Sequence, residues 1–199
     1  MKTLAWVLVI LNQSQVISDD ELQYPSLQKC EMYEKQINSA IEYLKTEQEE
    51  NGSWFGRWGT NYIYGTWSVL TALEIAGQDP QQDYIRKAVK YLVSTQNDDG
   101  GWGESNDSYY PPKIHRPFKS TAFQTAWVLL LLLASREEKN PSVKKAVNYL
   151  LSTQLSNGQW YDNSFTAPGF PRVFYLKYHG YSKYFPLWAL ARYRNILEK

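Results

Sequence analysis

At 199 residues the chain can build one sizeable core or part of a larger one, and a formal net charge of +1 with a pI near 7.7 leaves no electrostatic footprint for nucleic acid. A single cysteine, Cys30, excludes an intrachain disulfide framework and a multi-cysteine zinc site, and His115 and His179 are too isolated along the chain for a dedicated metal centre, so no metal or other cofactor is expected. The surplus is aromatic: 16 Tyr, 8 Trp and 7 Phe make up 16% of the chain, more than an ordinary core needs.

The chain opens with Lys2 and an apolar run over 4–11, too short to span a bilayer. This run fits the core of a signal peptide, with Val16 and Ser18 as small residues ahead of a cut. It fits better a short buried helix or the start of a truncated chain, because nothing downstream has the marks of a secreted protein. Residues 22–29 are polar and broken at Pro25, a linker. Residues 33–47 carry Ile37, Ala40, Ile41 and Leu44 at helical spacing. A less polar helix over 62–76 is closed by Gly77 and followed by Pro80. Residues 83–95 are amphipathic again, with Ile85, Ala88, Val89 and Leu92 on one side.

A long polar loop spans 103–119. The helix over 121–134 is apolar nearly all round, through Trp127 and Leu133, and falls short of a membrane span, so a fully buried inner helix is expected. Pro141 opens a third amphipathic helix over 143–153, a loop covers 156–171, and a last helix covers 184–197. Amphipathic helices alternating with more apolar ones describe an outer ring around an inner ring. The fold class is all-α, a partial α/α barrel or toroid, with no strand expected anywhere.

One pattern is written three times. Tyr43-Leu44, Gln48, Gly52 and Trp54 have the same spacing as Tyr91-Leu92, Gln96, Gly100 and Trp102, and as Tyr149-Leu150, Gln154, Gly158 and Trp160. Each glycine supplies backbone freedom where a helix ends. Each glutamine amide can stack on its tryptophan and hydrogen-bond backbone groups left open at a neighbouring helix end. The repeat is therefore read as a structural clamp between helical hairpins, with every glutamine packed and none in open solvent.

The segment Gln48 to Thr66, with Trp58, Asn61, Tyr62, Tyr64 and Gly65, resembles the squalene-hopene cyclase family, as do Gln96-Asn97 with Asp99 to Glu104, and Ser120-Thr121 with Gln124 to Trp127. The ending is the most specific part: Gly169, Phe170, Pro171, Phe174, Tyr175, Tyr178, Tyr181, Phe185, Pro186, Ala189, Arg192 and Tyr193 stand in the family's order. The resemblance runs from about residue 35 to the end. It divides the chain into an unmatched leader, 1–30, and the C-terminal half of a cyclase catalytic barrel, 31–199.

The resemblance implies a membrane-associated, peripheral enzyme on the cytoplasmic face that protonates squalene or a related isoprenoid and guides carbocations through successive ring closures. Such cations need a lining that stabilises without reacting, and an aromatic face does this through its quadrupole. Residue by residue, the family's cavity aromatics fall on Trp58, Tyr64, Phe170, Phe174, Tyr178 and Tyr181. Phe170 and Phe174 match rings credited with the middle and late cations, Tyr64 a tyrosine near the acid, and Tyr178 with Tyr181 the pocket of the first rings. Phe123 replaces a small residue, which narrows the cavity.

The family's proton donor is an Asp-x-Asp-Asp cluster, and this sequence contains none; Asp19-Asp20 and Asp98-Asp99 read as solvated carboxylates. No general acid is therefore expected here. A separate N-terminal cyclase part, alongside the membrane surface and the isoprenoid, is the partner the resemblance implies. A protein prenyltransferase β subunit, the other enzyme class with such hairpins, needs an Asp-Cys-His zinc site, for which Cys30 has no histidine partner. A lipid-binding or partner-docking half-barrel without activity, or a gene fragment, fits the missing acid equally.

Overall fold

The structure is a computed structural model and describes residues 27–198. The apolar run over 4–11 and most of the 1–30 leader lie outside the described residues. The elements are α1 (Leu27–Thr46), α2 (Tyr62–Ile75), α3 (Asp83–Ser94), a 3-10 turn (Asn106–Tyr109), α4 (Ala122–Ala134), α5 (Pro141–Ser152), β1 (Ala167–Phe170), β2 (Phe174–Leu176) and α6 (Tyr181–Leu197).

Two kinds of helix follow from two kinds of sequence. In α3 the apolar residues share one face, and Ile85, Ala88, Val89, Tyr91 and Leu92 are buried. In α4 every residue from Ala122 to Ala134 is buried, and the helix packs between α2 and α6 with α5 against it. Each of its leucines gains about 1.5–3 kcal/mol on leaving water. Thus α2, α4 and α6 form an inner row and α1, α3 and α5 an outer one, part of an α/α toroid. The ends are fixed locally: the Thr121 hydroxyl accepts the Gln124 N–H at 3.2 Å, and Asn140 Oδ1 accepts the Ser142 N–H at 3.0 Å ahead of Pro141.

The three repeat turns are near-copies. The indole N–H donates to the carbonyl ten residues earlier in each: Trp54 to Leu44 at 2.7 Å, Trp102 to Leu92 at 2.8 Å and Trp160 to Leu150 at 2.7 Å. These carbonyls are among those a helix C-terminus leaves unpaired. Gly52, Gly100 and Gly158 take φ of 97°, 87° and 78°, where a Cβ is penalised. The glutamine amide donates to the glycine carbonyl at 2.9, 2.8 and 2.8 Å in turn. Gln48 also reaches the Tyr84 carbonyl at 2.8 Å and Gln96 the Ser142 carbonyl at 3.0 Å, each in the first turn of the next outer helix.

The structure corrects four expectations. Gln154 is exposed and has no such second partner among its described bonds, because among the described residues no outer helix follows α5. A two-stranded antiparallel sheet pairs Ala167 with Leu176 and Phe170 with Phe174 where no strand was expected. Helix α1 already begins at Leu27, just past Pro25, inside the stretch read as linker. Helix α6 begins at Tyr181 rather than 184, because the ring of Tyr181 packs on Trp127 at 5.5 Å and fixes the first turn; Pro186 then lies inside the helix.

The asymmetry among the glutamines has a measurable consequence. Gln96→Ala removes two bonds and leaves a half-buried carbonyl unpaired, and is expected to cost about 1–3 kcal/mol in denaturant unfolding. Gln154→Ala, at an exposed site with one bond, is expected to cost under about 0.5 kcal/mol.

Candidate functional site

The inner helices carry aromatic residues three or four positions apart, which places them on one face. Tyr64 and Trp67 belong to α2, Phe123 and Trp127 to α4, and Tyr181, Phe185 and Trp188 to α6, with Tyr178 just ahead of it. Trp127, fully buried, is the hub. Its ring lies 5.2 Å from Tyr64, 5.1 Å from Phe123, 5.5 Å from Tyr181 and 5.4 Å from Phe185, all edge-on, and it stacks on Trp67 at 5.5 Å and 13°. Tyr178 joins through Tyr181 at 5.0 Å and Trp188 through Phe185 at 6.2 Å. Exposure rises from 0% at Trp127 through 8% at Tyr64 to 51% at Tyr178, so the wall has a dry floor and an open rim.

Chemically this wall is unreactive. The indole N–H groups of Trp67 and Trp127 are buried without hydrogen-bond partners, and an indole N–H is a donor that cannot take a proton from a cation. Burial, followed by the neighbouring Tyr64 and Tyr178, pushes the Tyr181 phenol further up from a value at which it is already neutral. The carboxylate of Glu74 on α2 is engaged in an ion pair with Arg192 of α6 and adds a polar tie between the flanking helices. Among the described residues no three His, Cys, Asp or Glu side chains come together as a metal site.

The position of the α2 end of the wall depends on Glu104. This residue is 1% exposed, and its carboxylate accepts the backbone N–H groups of Asn61, Tyr62 and Ile63 at 3.0, 3.2 and 2.9 Å. It serves as the cap that Asn61 does not supply, its two oxygens facing the positive end of the helix dipole. Burial pushes its carboxyl up, and the three N–H groups pull it back. Gln124 at the start of α4 receives the Glu104 N–H at 3.2 Å and donates to the Thr60 carbonyl at 3.3 Å, so the first turns of α2 and α4 are stitched together.

Of the six aromatics expected to line a cavity, the structure brings Tyr64, Tyr178 and Tyr181 into this one network. Phe170 and Phe174 form a separate edge-on pair at 5.7 Å on the hairpin, 63% and 45% exposed. A Cβ on Gly169 would stand 1.9 Å from the Phe174 ring, so the pair is built on that glycine. Trp58, 57% exposed, lies in the bend between α1 and α2, outside both groups. Sequence reading missed Trp67 and Trp188 and gave the hub no role. The available signal was the spacing 64/67, 123/127 and 181/185/188 on helices already assigned.

The match to known proteins agrees with this layout. Residues 13–195 match the family described as squalene-hopene cyclase C-terminal domain, so the match enters the segment read as unmatched leader. A probable squalene–hopene cyclase of Sinorhizobium fredii is 58% identical over 165 residues, 81% of this chain and 25% of the relative. The squalene–hopene cyclase of Alicyclobacillus acidocaldarius is 45% identical over 165 residues, 83% of this chain and 26% of the relative. The chain thus spans about a quarter of the length of the curated relatives it matches. Among solved structures, the type II terpene cyclase MstE from Scytonema, apo, superposes with a TM-score of 0.51 at 27% identity, covering 69% of this chain and 38% of MstE.

A buried carboxyl and a half-buried imidazole give tests. Glu104→Ala leaves three helix-end N–H groups without an acceptor and is expected to cost at least about 3 kcal/mol in chemical denaturation. His115 is pushed down to about 4 by burial, its Nε2 unpartnered and its ring 6.2 Å from Tyr91. The unfolded chain therefore takes up a proton at this site below about pH 6.5 that the folded chain refuses until about pH 4. Stability at this site is full above about pH 6.5 and falls as pH drops through that window. His115→Phe is expected to lose part of this acid sensitivity in thermal melts taken between about pH 7 and 4.

Proposed function

Because the chain belongs to the squalene-hopene cyclase family through its C-terminal domain, we propose that it supplies an aromatic wall of a triterpene cyclase cavity. The wall stabilises the carbocations formed as squalene or a related isoprenoid folds and closes rings. The observation that carries this reading is the Trp127-centred network, in which rings from three inner helices and the segment before α6 converge on one face. Each ring face contributes about 0.5–2 kcal/mol to a desolvated cation at van der Waals range. A neutral phenol and an indole donor offer no base to take a proton from such a cation.

Tyr64, Trp67 and Trp127 form the deep part of the wall, and Tyr178 and Tyr181 shape its rim. Phe170 and Phe174, paired edge-on on the hairpin, are assigned to a later cation through the resemblance alone. Trp58 extends the lining from the bend before α2. Starting the reaction places a different demand on the protein, because protonating an isolated alkene needs a strong acid held protonated in a dry site. The Asp-x-Asp-Asp donor of this family, which is absent from this sequence, is supplied in this reading by another cyclase part.

Peripheral membrane association belongs to the same reading, since the substrate is lipid. It is supported by Tyr184 and Leu187, exposed on α6. Among the described residues no helix is long and apolar enough to cross a membrane.

The test is chemical. The purified chain incubated with squalene is expected to give no cyclised product by gas chromatography. The chain mixed with a family N-terminal part carrying Asp-x-Asp-Asp is expected to give pentacycles, and Tyr181→Leu in that mixture to lower turnover about tenfold. A pentacycle from the chain alone, or full turnover with Tyr181→Leu, would overturn this assignment of roles.

A further inference from the structure

The segments that follow the three repeat tryptophans meet at one residue. Thr60, fully buried between Trp54 and α2, uses each of its polar groups on a different neighbour. Its N–H donates to the Thr166 carbonyl, just ahead of β1, at 2.8 Å. Its own carbonyl accepts from Gln124 of α4 at 3.3 Å. Its hydroxyl, with one proton for two acceptors, lies between the Thr166 carbonyl at 3.0 Å and Asn106 Oδ1. Asn106 opens the 3-10 turn after Trp102, and its amide donates to the Phe165 carbonyl at 2.8 Å, which leaves the amide oxygen facing Thr60. Two adjacent carbonyls of the chain entering the hairpin are thus held, Phe165 by Asn106 and Thr166 by Thr60. Tyr109, buried in the same turn, donates its hydroxyl to the Gly59 carbonyl at 2.8 Å and tilts its ring against Tyr175 of β2 at 6.1 Å.

The hairpin is covered at its root, where Thr166, Ala167 and Pro168 are buried, and exposed beyond it at Phe170, Val173, Phe174 and Leu176. Its strands pair mainly with each other. Asn106 shares its loop with Glu104, which fixes the start of α2 and with it Tyr64. The hairpin pair and the deep wall are therefore referred to the same stretch of backbone. We propose that Thr60 and Asn106 are positioning residues. They hold the β1–β2 hairpin so that Phe170 and Phe174 keep a fixed place relative to the wall and face a cation near the middle of a bound isoprenoid chain. This rests on the cation reading of those two rings. A cation is attracted to a ring face only within about 6 Å, so a hairpin free to tilt at its root loses the contact while the helices keep their fold.

Three variants separate the contacts. Thr60→Val removes the hydroxyl and keeps the backbone bond to Thr166, whereas Thr60→Ser keeps both. Asn106→Asp, at a half-buried site, keeps the oxygen that faces Thr60 and loses the donor to Phe165. The full chain is labelled with 4-fluorophenylalanine at its 7 phenylalanines, Phe170 and Phe174 being assigned through their Leu variants. The fluorine signals of this pair are expected to broaden or split in Thr60→Val and Asn106→Asp and to stay single in Thr60→Ser. Those of Phe123 and Phe185, in the wall, are expected to hold in all three.

The second readout is the binding of three squalene-length isoprenoid chains by tryptophan quenching. One carries a tertiary ammonium at mid-chain, one carries it at the end, and one is all carbon. Thr60→Val is expected to lower the preference for the mid-chain ammonium about two- to tenfold and to leave that for the terminal one unchanged, with Thr60→Ser restoring it. Unchanged fluorine signals, or a mid-chain preference kept in Thr60→Val, would overturn the positioning role alone. So would an equal loss of both preferences, which is what a purely structural role gives. Unaltered protein that prefers neither ammonium chain would overturn the cation reading, and this proposal with it.

Discussion

The interaction on which the rest depends is the bond from a tryptophan indole back to the carbonyl ten residues earlier, made three times at 2.7–2.8 Å. It closes the end of each outer helix with a large buried ring, so the chain turns inward at a fixed angle. In the first two repeats the backbone N–H of the same tryptophan then bonds a buried threonine of the next inner helix, Thr66 at 3.0 Å and Thr125 at 2.9 Å. The residue that ends an outer helix thus registers the following inner one. Tyr64 and Trp127 each stand two residues from these threonines, so the clamp sets where the aromatic wall begins.

Glutamine extends this local turn into a chain of repeats. Its amide has two donors, one for the turn and one for the neighbour, and backbone carbonyls are the acceptors in each case. Recognition of backbone rather than side chain leaves the outer helices free to vary in sequence. It also makes the hydrogen bonds of the clamp depend on the neighbour's register. Glu104 plays the corresponding part on the inner side, where one buried carboxylate satisfies three N–H groups at the start of α2. Its location at the end of the second repeat's Gly-Trp-Gly-Glu run ties the α2 terminus to that turn.

How much of this could be read in the sequence follows from how local each interaction is. The three turns were legible because glutamine, glycine and tryptophan interact within about ten residues and recur at fixed spacing. The inner and outer helices were legible from their polarity. Tyr64, Tyr178 and Tyr181 were reached through resemblance, and the ring network joins them. Trp127 was hidden because a helix apolar on every side has no preferred face in its sequence. The hairpin was hidden because its strands are four and three residues long, with Pro168 inside one and a bulge between Pro168 and Phe170. Gln154 looked identical to Gln48 and Gln96 because a sequence pattern is the same whether its neighbour is present or not.

The proposed role requires the inner-helix rings to form a surface that prefers a cation to its neutral counterpart. The direct measurement compares the binding of two isoprenoid chains to the purified protein, one with a tertiary ammonium in place of a tertiary carbon and one with the carbon retained, by quenching of tryptophan fluorescence. The ammonium chain is predicted to bind about two- to thirtyfold more tightly, and the preference to collapse in the Trp67→Leu, Tyr181→Leu double variant while the neutral chain still binds. Equal binding of the two chains by the unaltered protein, or a preference that survives loss of both rings, would contradict this role.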